Sequence, residues 1–172
     1  MKITKRWIKK WKPCKEVVDW IQEQDTRDVL ELIERLRKSG IKEKYDWLYW
    51  AIPRLLKTKK DKIKLISYCV EFIALPIIEE GYLGDGCYQK MTKGVKDVIV
   101  RHAIWSIIEM TEAVYGATAK KNNTWVTVAV SRAIATIAIA ITKAEKYIDI
   151  RKDAIVDYGV KLLKGEADEI YL

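Results

Sequence analysis

The first apolar positions of the chain repeat with the period of an α-helix. They lie on one stripe, and the basic side chains between them lie on the opposite side, which indicates an amphipathic helix after Thr4. The members of the stripe are Ile3, Trp7, Ile8 and Trp11. Because Pro13 interrupts helical hydrogen bonding, the pattern predicts a short basic amphipathic helix within residues 1–12.

Three more helices are indicated before residue 57. One follows Pro13, which costs little in a first helical turn, and ends before Asp25. The next has an N-terminal capping signal at residues 25–28 and periodic apolar positions up to the basic residues before Gly40. The third covers residues 45–56 and contains Pro53, which predicts a kink or a change of direction.

The middle of the chain predicts a buried helix followed by a loop. Residues 62–78 are apolar on nearly every side, and Thr58 or Asp61 is suited to cap them, so we expect this helix to be central. Residues 79–86 contain three glycines and indicate a loop.

Two long helices are predicted in the second half, over residues 87–117 and 123–147. The run VTVAV alternates like a strand, but the segment that contains it is too long and too rich in alanine for an ordinary strand. A last amphipathic helix over 150–163 precedes Gly165. The predicted fold is all-α: an irregular multi-helix bundle with two long C-terminal hairpinned helices, forming a single helical domain over residues 1–172.

The length and the amino-acid composition of the chain change this interpretation only slightly. A chain of 172 residues with 49% apolar and 33% charged residues fits one ordinary domain. Cys14, Cys69 and Cys87 are far apart and the chain has one His, which indicates reduced thiols in a cytoplasmic protein and no zinc motif. The basic start lacks the apolar stretch of a secretory signal. Residues 125–141 are short for a membrane span and include Arg132, so a buried helix is expected there.

The net charge of +8 is concentrated at the start of the chain, because residues 1–15 contain seven basic residues and no acidic one. A second basic cluster occupies residues 54–64. The basic helix has three interpretations: a solvated outer face, a contact with nucleic acid or an acidic protein, or attachment to a membrane surface. The candidate partner-binding residues are Lys5, Arg6, Lys9, Lys10, Arg54 and Lys57.

The first third of the chain resembles a known family. The runs PCKEVVDW at 13–20, QDTRDVLELIE at 24–34 and YDWLYWAIPRLL at 45–56 are similar to those of the Imm5-like immunity proteins of bacteria and their phages. The matching positions are Cys14, Trp20, Asp46, Trp47 and Trp50. The resemblance implies an all-helical, non-enzymatic protein that binds and neutralises a protein toxin or effector. The strongly basic start departs from the family pattern.

Each notable residue also has a structural interpretation. Cys14 lies near two lysines, a setting that suits a reactive thiol, but we expect it to be a buried structural thiol. Asp46 and the two nearby tryptophans have two interpretations: a helix cap with core side chains, which we favour, or a binding hot spot. His102, Glu109 and Glu112 share a broad helical face, but their spacing is not that of a metal or acid–base site.

No catalytic set, metal site or cofactor site is therefore expected. The sequence predicts a non-enzymatic binding protein with a protein toxin or effector as partner. Nucleic acid is the alternative partner, and the abundant Trp and Tyr side chains would also suit a homodimer.

Overall fold

A computed structural model describes residues 1–76, 93–118, 122–144 and 153–167. The helices in this part of the chain are α1 (Lys5–Trp11), α2 (Lys15–Glu23), α3 (Val29–Lys38), α4 (Lys44–Leu55), α5 (Lys59–Cys69), α6 (Lys93–Thr118), α7 (Asn123–Ala144) and α8 (Ala154–Lys164). A π-helical segment, Val70–Ala74, follows α5 directly. Within these ranges no β-strand occurs, so the predicted all-α multi-helix fold is confirmed.

The chain divides into two compact units, Met1–Leu48 and Tyr49–Leu172, which are described separately. Helix α4 contains the boundary between them. The single domain over residues 1–172 stays a prediction.

The first unit contains α1 to α3 and the start of α4. Asp28 is the N-cap of α3, and its carboxylate accepts hydrogen bonds from the Leu30 and Glu31 amides at 3.0 and 3.3 Å. At the other end of α3, Lys44 Nζ donates to the carbonyls of Arg37 and Ser39, which satisfies acceptors at a helix C-terminus. The apolar core of this unit consists of Ile21, Val29, Leu32, Ile33, Leu36 and Leu48.

The N-terminal residues lie beside the start of α3. Ile3 N–H donates to the Arg27 carbonyl at 2.8 Å, and Val29 N–H donates to the Met1 carbonyl at the same distance. Lys2 and Asp28 form an isolated antiparallel bridge. The segment before α1 is therefore fixed to α3 by backbone hydrogen bonds.

Helix α5 is central to the second unit, as predicted, because it packs against α6, α7 and α8. Thr58 is its N-cap and accepts a hydrogen bond from the Asp61 amide at 3.0 Å. Almost every residue from Lys62 to Cys69 is buried. The helix is shorter than the predicted 62–78 because the π segment begins at Val70, where the Leu75 amide bonds to the Val70 carbonyl.

Helices α6 and α7 form the most extensive helix pair, which confirms the two long C-terminal helices. On α7, buried residues recur at alternating spacings of four and three, at Val126, Val130, Ala133, Ile137 and Ala140. Small buried residues on α6, among them Ala103, Ser106 and Ala113, suit close approach of the two helices.

The strand alternative for the VTVAV run is wrong, because these residues lie in α7. Polar side chains there bond within the helix: Thr127 Oγ1 donates to the Asn123 carbonyl and Ser131 Oγ to the Thr127 carbonyl, both at 2.7 Å. The loop predicted over 79–86 lies outside the described residues, as do Cys87, the start predicted for the first long helix and residues 145–152.

Helix α8 ends as predicted. Gly165 follows it in the left-handed conformation at φ 76°, and its amide bonds back to the Leu162 carbonyl. Within the same unit, the rings of Tyr68 and Tyr158 stack with centroids 4.1 Å apart, which joins α5 to α8.

Candidate partner-binding surfaces

Helix α1 presents the basic face that its sequence predicted. Thr4 caps it by accepting a hydrogen bond from the Trp7 amide at 3.1 Å, and Lys12 ends it in the left-handed conformation. Trp7, Ile8 and Trp11 are half-buried. The four basic candidates on the helix are all exposed: Lys5, Arg6, Lys9 and Lys10.

The charges of this face repel one another. Lys5 and Lys9 are four residues apart, as are Arg6 and Lys10, and like charges at this spacing destabilise a helix slightly. Lys10 Nζ lies 4.7 Å from the centre of the Trp11 ring, close enough for a cation–π interaction. The face is therefore an exposed, wholly basic surface next to half-buried aromatic rings.

The second basic cluster, residues 54–64, does not form one basic surface. Lys57 and Lys60 are exposed, whereas Lys62 and Lys64 are buried. Arg54 is half-buried, and burial lowers its pKa to about 10.

Arg54 has structural partners within its own unit. Its Nη1 donates to the Trp50 carbonyl at 2.6 Å and to Ser131 Oγ at 2.9 Å, and the guanidinium lies 4.2 Å from the centre of the Trp50 ring. Partner binding by Arg54 and Lys57 stays a prediction. The contacts show that Arg54 links α4 to α7.

The residues that carry the family resemblance do not gather into one site. Cys14 is exposed at the N-cap of α2, so the expectation of a buried thiol is wrong. A residue that precedes the first helical turn starts outside the helix packing, which accounts for its exposure. Trp20 is half-buried in the first unit, and its carbonyl accepts a hydrogen bond from Gln24 Nε2 at 3.1 Å.

Asp46, Trp47 and Trp50 lie on α4, the helix that contains the boundary between the two units. Helix α4 begins at Lys44, so Asp46 is an exposed residue of the first turn and does not occupy the capping position that we expected. Its charge suits the positive end of the helix dipole. Trp47 belongs to the first unit and Trp50 to the second, and both are half-buried.

On the α6 face that His102, Glu109 and Glu112 share, the Glu109 carboxylate is in an unusual environment. Glu109 Oε2 is buried, and no described residue offers it a hydrogen bond. Burial, and then the neighbouring charge of Glu112, raises the pKa of Glu109, while Arg132 on α7 acts in the opposite direction. His102 is half-buried on the same helix. Over the ranges that the structure describes, no three His, Cys, Asp or Glu side chains are grouped as for a metal ion.

An exposed apolar surface on α6 was not predicted. Trp105 and Ile108 are 51% and 47% exposed, and Ile104 and Tyr115 on the same helix are also exposed. Large apolar side chains that lie together on a protein surface often mark an interaction site. The sequence shows these residues, but it does not show which sides of an apolar helix other elements cover.

Helix α7, which packs against α6, also has exposed apolar side chains. Val128, Arg132 and Ile139 recur at spacings of four and seven, so they share one side of the helix, and all three are exposed. The charge of Arg132 acts on Glu109 of α6, the helix against which α7 packs.

Helix α7 is also long and apolar enough for a membrane span, over Asn123–Ile141. Half of this window is buried inside the fold, a pattern that is equally typical of the core helix of a soluble protein. One such helix is weak evidence for a membrane span.

No family model matches the sequence, and comparisons with curated proteins and with solved structures also found no match. Evidence on function therefore comes from the surfaces themselves.

Proposed function

We propose that this chain is a non-enzymatic binding protein and that the basic face of α1 recognises an acidic surface on a protein partner. The observation that carries the proposal is the exposure of Lys5, Arg6, Lys9 and Lys10 on one short capped helix. An acidic partner would relieve the repulsion between these charges, and complementary potentials also accelerate association.

The class of partner follows from the resemblance in residues 13–56 alone. That resemblance implies a toxin or effector as the partner, which the chain would neutralise by binding. The chain would then have an immunity-type role in bacteria or their phages. The binding mode does not depend on this identity, because it needs only a partner with a negative surface.

Nucleic acid is the second candidate, favoured by basic side chains next to the Trp11 ring. Phosphate contacts release counterions, so binding to a single-stranded DNA oligonucleotide would weaken by orders of magnitude between about 50 and 200 mM salt.

A charge-neutralised variant tests the proposal. The variant Lys5→Gln, Arg6→Gln, Lys9→Gln, Lys10→Gln removes the basic face, and these exposed side chains lie opposite the half-buried ones, so the fold should persist. The matched control removes the same charge from exposed positions elsewhere: Lys38→Gln, Lys42→Gln, Lys161→Gln, Lys164→Gln. Thermal unfolding of both variants checks that the fold is retained.

The readout is quantitative capture from nuclease-treated lysate of the source cells at about 50 mM salt, where exposed charges are weakly screened. We expect a protein retained by the wild type and the control and lost from the α1 variant. Equal capture by all three proteins would overturn a role for α1. Tight, salt-sensitive binding of the oligonucleotide without any captured protein would favour nucleic acid, and turnover of a metabolite would reverse the non-enzymatic assignment.

A further inference from the structure

The exposed stripe of α6 has a symmetric order. Arg101, Trp105, Ile108 and Glu112 are spaced four, three and four residues apart, so the spacing reads the same in both directions along the helix. Eleven residues are just over three full turns, which places all four on one side of α6 over about 16 Å. Arg101, Trp105, Ile108 and Glu112 are all exposed.

We infer that two copies of this chain associate through this stripe, with the two α6 helices antiparallel about a two-fold axis between Ser106 and Ile107. A two-fold axis pairs each residue with one on the other copy, and each such contact occurs twice. This arrangement sets Arg101 of each copy opposite Glu112 of the other. Trp105 of each copy then faces Ile108 of the other.

Charge complementarity favours this orientation over the parallel one. In the antiparallel pair, two opposite-charge contacts flank a central apolar cluster, the usual arrangement of an interface with a polar rim. In a parallel pair, Arg101 would face Arg101 of the other copy, and Glu112 would face Glu112. Both ends of the stripe would then bring like charges together, which is repulsive. Within the part of the chain that the structure describes, neither side chain has an ion pair that this contact would have to replace.

Other apolar side chains of α6 and α7 also fit association with a second copy of the chain. About the same axis, Tyr115 of one copy is set against Val98 of the other, so both ends of the stripe gain a further apolar contact. Val128 and Ile139 add exposed apolar side chains on α7, the helix that packs against α6. The inference goes beyond the proposed function, because it uses neither α1 nor an outside partner.

Charge reversal gives a direct test by sedimentation velocity of the full chain over about 1–100 µM, a range suited to a micromolar dimer. We expect the wild type to dimerise. Arg101→Glu alone or Glu112→Arg alone should raise the dimer Kd about tenfold or more, because each turns two attractive contacts into repulsive ones. Lys161→Glu is the matched control on α8 and should leave Kd unchanged.

Mixing the two single variants is the decisive measurement. One variant carries two acidic positions in the stripe and the other two basic positions, so the antiparallel arrangement predicts a mixed dimer about as stable as the wild type. The double variant Arg101→Glu with Glu112→Arg should likewise restore self-association. Trp105→Ala should abolish the dimer, whereas Phe72→Ala, a change at another exposed aromatic side chain, should not.

Three results would overturn the inference. They are a monomeric wild type across the concentration range, a dimer that Trp105→Ala and the charge reversals leave unchanged, and single variants that weaken the dimer but fail to form a mixed one. Because thermal unfolding reports the fold of each variant separately, loss of the dimer is distinguishable from loss of structure.

Discussion

Lys62 Nζ lies 2.7 Å from Asn123 Oδ1, which connects the first turns of α5 and α7. The same ammonium group donates to the Leu56 carbonyl at 2.6 Å, and only 1% of the Lys62 surface is exposed. Asn123 Nδ2 in turn donates to the Lys57 carbonyl at 2.9 Å. One amide side chain therefore satisfies a buried cation and the backbone of the connection between α4 and α5.

Asn123→Ala should lower the free energy of unfolding by about 1–2 kcal/mol, because it removes one hydrogen-bond partner from a buried charge and one from a backbone carbonyl. Thr124→Ala is the matched control, since Thr124 is the exposed neighbour on the same turn. Urea denaturation of both variants measures the difference. A loss no greater than that of the control would show that water replaces the amide at no cost.

Position 159 requires glycine, because Ile52 leaves no room for a larger side chain there. A Cβ at position 159 would lie 2.5 Å from Ile52 Cγ2, and Ile52 is fully buried. Gly159→Ala should therefore destabilise the protein by about 1–3 kcal/mol through overpacking. Gly40→Ala is the control, because no atom of the described residues lies within 4 Å of a Cβ at that position.

A double-mutant cycle identifies the cause of that loss. Ile52→Ala removes the atoms that would clash, so Gly159→Ala should cost clearly less in the Ile52→Ala background than in the wild type. Equal costs in the two backgrounds would mean that Gly159 matters for a reason other than this contact.

The sequence predicted the helices well because their signals are local. Apolar periodicity, the caps at Asp28 and Thr58 and the glycine after α8 all act within a few residues, and the structure has helices at these places. The π segment after Cys69 carried no local signal that we identified.

The surfaces were predicted less well because burial depends on distant residues. Lys62 and Lys57 belong to one basic run, yet one is buried and the other exposed. Asn123 of α7 accepts a hydrogen bond from the Lys62 ammonium group, whereas at Lys57 it bonds only the backbone carbonyl. Trp105 lies in a helix that is apolar on several sides, and the packing of α5, the π segment and α7 against it decides which sides are covered. Such information is tertiary and is absent from the local pattern.

Arg54 should contribute more to stability than to binding. Arg54→Ala removes hydrogen bonds to the Trp50 carbonyl and to Ser131 Oγ together with the contact on the Trp50 ring, so we expect a loss of about 1–3 kcal/mol. Lys57→Ala, an exposed change in the same basic cluster, should stay within about 0.5 kcal/mol of the wild type. Equal stability of the two variants in thermal unfolding would argue against the structural assignment of Arg54.

The raised pKa of Glu109 predicts that the stability of the protein depends on pH. Because the pKa of Glu109 is higher in the folded protein than in the unfolded chain, the folded state binds this proton more tightly. The stabilisation from this proton is fully present below the unfolded pKa and is lost as pH rises through the raised folded value. Above that value the ionised carboxylate is a cost, since the buried Oε2 has no hydrogen-bond partner among the described residues.

Glu109→Gln should therefore raise the melting temperature at pH values above the raised pKa, where the wild-type carboxylate is ionised. The gain should shrink as pH falls below the raised pKa, because protonation then removes the charge from the wild type as well. Thermal unfolding from about pH 3 to pH 8 measures this convergence. Glu71→Gln, which removes an exposed carboxylate, is the control and should leave the melting temperature unchanged at pH 7. A Glu109→Gln variant that is less stable than the wild type at neutral pH would instead show that Glu109 is held by a favourable ionic contact with Arg132.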